Sequence, residues 1–271
     1  MKRVSTLFFN RQLETTGSFP SEFECDNGET YIVKHSENGL KRAELIKEAI
    51  AARLLMKLGV ATPEVAAVEI LPAVLPSDYA FQRHRPTGVG FRSRKIHRSK
   101  SVTKETLFNV AEMRMFDAPE FLIGICLFDI WTFNADRSLN NPNLIIEEVA
   151  GKILRRVAID HSALFSQRSL LQLSQASALN EVFTLGDSLV QHPLFFQVKN
   201  ALDLFFEERV QEYISHIQAL GASDIEAAYA ELPLEWNFTQ REQDAVTAYL
   251  LHRRAVIKPQ FFSLVSQAEI L

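Results

Sequence analysis

Phe128-Asp129-Ile130-Trp131-Thr132-Phe133-Asn134-Ala135-Asp136-Arg137-Ser138-Leu139-Asn140-Asn141-Pro142-Asn143 is the stretch on which the fold turns. It follows an apolar run and leads into two β-branched segments, Asn143 to Ile146 and Ile153 to Ile159, with Gly151 at the turn between them. The second segment runs into Asp160-His161-Ser162. If the two segments pair antiparallel, the open end of their hairpin brings Asn141 and Asp160 together beside Asp136. Three oxygen-bearing side chains then converge. Asp and Asn are also ordinary turn formers between a helix and a strand, so neither Asp136 nor Asn141 says much alone.

Outward from this stretch, composition sets the bounds. The 271 residues, 47% hydrophobic and 23% charged, suffice for a sizeable core in one large domain or in two lobes sharing a cleft. A net charge of -4 argues against nucleic acid as a direct ligand held by general electrostatics. Cys25 and Cys126 lack metal-ligand spacing and predict a reducing compartment, the cytoplasm by default. The most apolar run, Phe121 to Phe133, is broken by Asp129 and falls short of the roughly 20 residues of a membrane helix. No membrane span is expected, and that run reads as a buried helix.

The first hundred residues read mainly as strands and the remainder mainly as helices, which predicts an α+β protein. Met1 to Asn10 reads as a first strand. Phe19 to Cys25 and Thr30 to Val33 flank Asp26-Asn27-Gly28, and Asn-Gly tolerates the positive φ of a tight hairpin. A helix is predicted from Lys41 to Leu58, capped at Gly59, with strands at Val65 to Leu71 and from Gly88. The basic run Arg92 to Lys100 reads as a solvated strand edge and linker, with docking of an acidic substrate or nucleic acid as the less favoured alternative. The boundary falls there, dividing residues 1–97 from 98–271. Helices are expected over Pro119 to Phe133, Leu194 to Leu220, Thr239 to Ala255 and Pro259 to Ala268.

The trio has the residue types that phosphoryl transfer needs: one carboxylate to orient a hydroxyl, and hard oxygen ligands to hold magnesium against phosphates. Asp136 and Asn141 have the five-residue spacing of a kinase catalytic loop, and Asp160 takes the place of its metal-binding Asp. Upstream, Lys34 ends the strand Tyr31-Ile32-Val33 and would reach phosphates from there. Glu44 and Glu48 lie one turn apart on the next helix, and either could pair with Lys34. Glu48 is preferred because Ala51, Ala52 and Leu55 flank its face. Thr16, Gly17 and Ser18, before the hairpin, could cover phosphates with backbone N–H groups and a hydroxyl.

These residues together resemble the HipA-like kinases, a bacterial branch of the protein-kinase-like fold that is also distantly similar to phosphatidylinositol kinases. Thr16-Gly17-Ser18-Phe19-Pro20 looks like the family's phosphate loop, Tyr31-Ile32-Val33-Lys34 like its ATP lysine, and Glu48 to Pro63 like the helix with the paired Glu. Gly90-Phe91-Arg92-Ser93 is similar to the family's lead-in to the hinge, with Arg92 in place of a glycine, which makes Ser93 and Lys95 candidates at the nucleotide. Asp129 to Asn143 and Ile159-Asp160-His161-Ser162 match most closely. The resemblance implies a bilobal kinase fold with a β-rich N-lobe and a helical C-lobe, ATP and Mg2+ as cofactors, and transfer to a Ser/Thr hydroxyl of a protein. It also implies an antitoxin-like regulator and autophosphorylation near the phosphate loop, at Thr16 or Ser18. A small-molecule or lipid acceptor, or a nucleotide-binding pseudokinase, would use the same residues.

Overall fold

The computed structural model describes residues 1–13, 20–35, 42–77, 88–149, 153–166 and 168–270. Five strands, β1 (Arg3–Gln12), β2 (Ser21–Cys25), β3 (Thr30–Lys34), β4 (Val65–Ile70) and β5 (Gly88–Arg94), close a barrel in the order β1-β2-β3-β5-β4. All neighbours are antiparallel except β1 and β4, which run parallel. The turn between β2 and β3 is the one predicted, with Gly28 at φ 79°, a backbone state that a side chain disfavours. Side chains alternate across each strand. Phe23, Cys25, Tyr31, Val33 and Val68 fill the barrel, while Ile32 and Lys34 face outward.

Between β3 and β4 runs α1 (Arg42–Lys57), within the predicted helix. Its inner residues Leu45, Ala49, Leu54 and Leu55 join the larger core. Its outer face is ion-paired to two later helices, α7 (Ala222–Tyr229) and α8 (Gln240–Arg253), through Lys57–Asp224 at 2.6 Å and Arg42–Glu242 at 2.6 Å.

Past the barrel, β6 (Ser99–Ser101), β7 (Leu144–Val149) and β8 (Ile153–Ala158) form a second, antiparallel sheet in chain order. The helices of this part are the single turn α2 (Val110–Met113), α3 (Phe121–Thr132), the single turn α4 (Ala176–Leu179), α5 (Pro193–Leu202), α6 (Phe206–Ala219), α7, α8 and α9 (Ile257–Ile270). Every residue of α3 is buried, as an all-round apolar helix requires. No described helix is long and apolar enough to cross a membrane.

Two expectations are corrected. The single helix over Leu194 to Leu220 is two, because Asp203 takes φ 46° and ψ -117° and no helix passes through that conformation. The turn lets Phe195 and Phe206 both reach Phe261, at 6.1 and 6.4 Å between ring centroids. The basic run is not solvated throughout: Arg92 is fully buried in the barrel with its guanidinium 3.4 Å from the Tyr31 ring centroid, and Ser99–Ser101 pairs as a strand. Ring faces attract a desolvated cation, and the barrel interior offers that face.

Gly90 makes the approach of β5 to β3 possible. A Cβ there would stand 2.7 Å from the Lys34 carbonyl oxygen and 3.2 Å from a Val33 methyl. Gly90→Ala is therefore expected to lower stability by about 1–3 kcal/mol in urea denaturation, since backbone must move to admit the methyl.

Candidate active site

The alternation of β3 puts Lys34 on the barrel's outer face, where α1 passes. Its Nζ pairs with the Glu48 carboxylate and lies 2.8 Å from Asp160 Oδ1. The second oxygen of Glu48 accepts the His161 backbone N–H at 3.0 Å, and Ser162 Oγ donates to Asp160 Oδ1 at 2.9 Å. Burial disfavours an ammonium here, but Glu48 and Asp160 outweigh it and raise the Lys34 pKa. Burial likewise opposes ionisation of Asp160, and Lys34 overrides it and holds that carboxyl below its usual range. For Glu48, burial prevails over the pull of Lys34 and pushes it up to about 7.

A second buried group holds the loop that follows α3. Asp129, inside the helix, meets Arg137 Nε at 2.9 Å and Asn134 Nδ2 at 2.9 Å. The rest of the Arg137 guanidinium donates to the carbonyl of Asn143 at 2.6 Å, to those of Pro142 and Ile159 at 3.3 Å, and to His161 Nδ1 at 2.9 Å. Arginine has no lone pair to offer, so His161 Nδ1 accepts and its Nε2 carries the proton. That Nε2 is buried. Burial first, and Arg137 second, keep the His161 pKa well below its ordinary value.

Asp136 and Asn141 sit on the exposed side of this loop. Asn141 Nδ2 donates to the Asp136 carbonyl at 3.1 Å, and Asn143 Nδ2 to Asp136 Oδ2 at 3.0 Å. Ile159 N–H donates to the Asn143 carbonyl at 3.0 Å, so the hairpin ends do meet. Three cavities surround the meeting point. The one holding Lys34, Glu48 and Asp160, of about 490 Å³, is also lined by Ser93 and Lys95. Asn141 lines a neighbour of about 400 Å³, and Asp136 lines another with Ser162 and Lys47. Lys34, Glu48 and Asp160 are thus in direct contact, Asp136 and Asn141 touch each other, and none of the three cavities takes in Asp136, Asn141 and Asp160 together. Glu44 lies on the Asp136 side and makes no contact with Lys34 among the bonds described. Thr16, Gly17 and Ser18 lie outside the described residues.

The sequence motif does not by itself single out Arg137 as a structural centre. The signal was available: Asp129 interrupts an apolar helix, and a buried carboxylate requires a cation nearby. Nor does the sequence single out Glu22, a buried carboxylate of β2 on the wall of the cavity that holds Lys34.

The chain belongs to the HipA-like kinase family, whose model matches residues 9–258. This puts its activity in the phosphotransferase class. Among solved structures it is similar to the proinflammatory kinase CtkA of Helicobacter pylori, with 14% identity, a TM-score of 0.58, and coverage of 97% of this chain and 96% of that one. Two further matches are the Rio2 kinase of Chaetomium thermophilum and HipA of Shewanella oneidensis MR-1. Rio2, solved with ADP, Mg2+ and phosphoaspartate, has 14% identity, covers 92% and 72% of the two chains and gives a TM-score of 0.45. HipA, solved with HipB and operator DNA, has 11% identity, covers 97% and 65% and gives 0.44. No curated protein matches in sequence.

Two outcomes test this geometry. Asp129→Ala leaves Arg137 buried without a counter-charge and is expected to lower unfolding free energy by about 3–5 kcal/mol in urea. For His161, the folded pKa lies below the unfolded one, so its contribution to stability is complete above about pH 6.5 and is lost as pH falls toward the folded value. His161→Gln keeps an acceptor for Arg137 but cannot titrate. Between pH 7.5 and 5.5 the melting temperature of the parent should therefore fall relative to that of the variant.

Proposed function

We propose that this chain is an ATP- and magnesium-dependent kinase that transfers the γ-phosphate to a serine or threonine hydroxyl of a protein. The observation that carries the reading is the Lys34 ammonium held between Glu48 and Asp160 at a cavity wall. A lysine kept charged there is suited to phosphate, and Glu48 fixes its direction. Among the described residues no group of three or more His, Cys, Asp or Glu could hold a metal ion. Magnesium needs no such cage, because it binds through one or two protein oxygens together with substrate phosphates. Asp160, kept ionised by Lys34, and Asn141 fit that requirement. Bound magnesium would offset the negative charge of the phosphates.

In this reading Asp136 orients the acceptor hydroxyl and takes its proton, with Asn143 holding Oδ2 in place. Thr16, Gly17 and Ser18 cover the phosphates, and Ser93 and Lys95 border the nucleoside end. The acceptor approaches from the Asp136 side. The chain is read as bilobal, with residues 1–97 as N-lobe and 98–271 as C-lobe. A cytoplasmic location and an antitoxin-like regulator, both expected from the sequence, complete the proposal.

The test uses calorimetric ATP binding with and without magnesium, and transfer from labelled ATP to a cell extract separated into proteins and metabolites. Asp136→Ala should cut transfer about 10²- to 10⁴-fold while sparing ATP binding. Asp160→Ala should remove the magnesium dependence of binding. Label confined to metabolites would overturn the protein acceptor, and unchanged transfer in both variants would overturn the site.

A further inference from the structure

The register of the barrel defines one row of residues above the cavity that holds Lys34, Glu48 and Asp160. Arg11 stands opposite Glu22, Glu22 opposite Ile32, Ile32 opposite Ser93, and Ser93 opposite Val65. All five line the cavity. Lys34, opposite Phe91, belongs to the next outward-facing row, two residues along β3. Two residues of strand cover roughly 6–7 Å. Phosphates held at Lys34 therefore put the nucleoside of the same nucleotide under the row that contains Glu22.

Ile32 and Val65 suit the face of a flat base. Glu22 does not: its side chain is only 7% exposed, and a buried carboxylate is unfavourable unless it is paired. It is paired, with Lys95 Nζ at 2.9 Å on Oε1, Arg11 Nε at 3.3 Å on Oε2, and Asn10 Nδ2 at 3.4 Å on Oε1. Burial opposes ionisation, and these donors, Lys95 foremost, overcome it and lower the Glu22 pKa. An ionised carboxylate has about four acceptor sites, so these three donors leave one, on a residue that lines the cavity.

Resting on the kinase reading above, we infer that Glu22 recognises the nucleotide by accepting a hydrogen bond from an N–H or O–H of its nucleoside part, either the exocyclic amino group or a ribose hydroxyl. Lys95 and Arg11 hold the carboxylate ionised and aimed for that contact. They also cancel its repulsion of the polyphosphate. Glu22 is then a specificity residue of the site, distinct from the groups that hold phosphate.

The sign of one substitution separates recognition from a merely structural bridge across the cavity mouth. Glu22→Gln removes a negative charge near a polyanion, so through-space electrostatics alone would tighten ATP binding. Loss of a charge-assisted acceptor instead weakens it, by roughly tenfold. Isothermal titration with ATP, 2′,3′-dideoxyATP and inosine triphosphate reads the difference, with melting temperatures confirming that the variant is folded.

The expected result is roughly tenfold weaker ATP binding by the variant, with the penalty vanishing for the one analogue that lacks the recognised donor. Unchanged or tighter ATP binding overturns the inference, as does a penalty that persists in full with both analogues. Should the variant fail to fold, the parent protein still decides: it must bind one of the two analogues roughly tenfold more weakly than ATP, and equal affinity for all three overturns the inference. Absence of ATP binding by the parent protein overturns the kinase reading itself, a different outcome from any of these.

Discussion

The Arg137 guanidinium is the constraint on which the site depends. It is fully buried and its donors reach four separate pieces of backbone or side chain: Asp129 in α3, the Pro142–Asn143 corner, Ile159 just after β8, and His161. Each is a group that would be costly to leave unpaired in the interior. One side chain thereby fixes where the loop leaves the helix, where the hairpin begins, and where it returns. The positions of Asp136 and Asn141, on the exposed arc of that loop, and of Asp160, just past Ile159, follow from this. The apolar helix supplies rigidity and Asp129 supplies the counter-charge.

Lys34 plays the corresponding part for the barrel. Its ammonium joins β3, α1 and the segment after β8, three elements far apart in sequence. The Glu48 carboxylate then continues the connection to the His161 backbone, and His161 in turn touches Arg137. The two charged centres are therefore linked through a single residue. A change in the protonation or packing of His161 would be felt at both Lys34 and Arg137, and an apolar ring in its place would deprive Arg137 of an acceptor.

What was legible in the sequence was local. Asn27-Gly28 announced its hairpin because positive φ is a property of single residues, and α1 was legible because Ala, Leu, Glu and Lys favour helix over a long window. The second hairpin was legible from β-branched runs, and with it the approach of its two ends, which the structure makes through Asn143 and Ile159. The buried place of Arg92 was not, since it depends on closure of the barrel through the parallel pairing of β1 and β4, which no local pattern encodes. Nor was Glu22, whose alternation with Phe23 reads as an ordinary half-exposed strand until β1 and the segment after β5 bring Arg11 and Lys95 against it. The break at Asp203 was hidden because Phe195 and Phe206 continue an apolar pattern that either one helix or two could satisfy.

The cores do not divide where the chain does. The barrel interior is a small cluster around Phe23, Tyr31 and Val33, whereas α1 and the outward-facing Phe91 belong to the large cluster built on α3. The helix that carries Glu48 is thus packed as part of the larger body although it lies between two barrel strands in sequence. Its outer face is ion-paired to α7 and α8, and Lys47 donates to the carbonyls of Ser166 and Arg168 on the segment after Asp160. The geometry at Lys34 is consequently set from two sides, by strand alternation in the barrel and by packing of α1 on the helical core. β3 and the short connection from β5 to β6 are also walls of the cavity that holds Lys34, through Ile32, Lys34, Lys95 and Ile96.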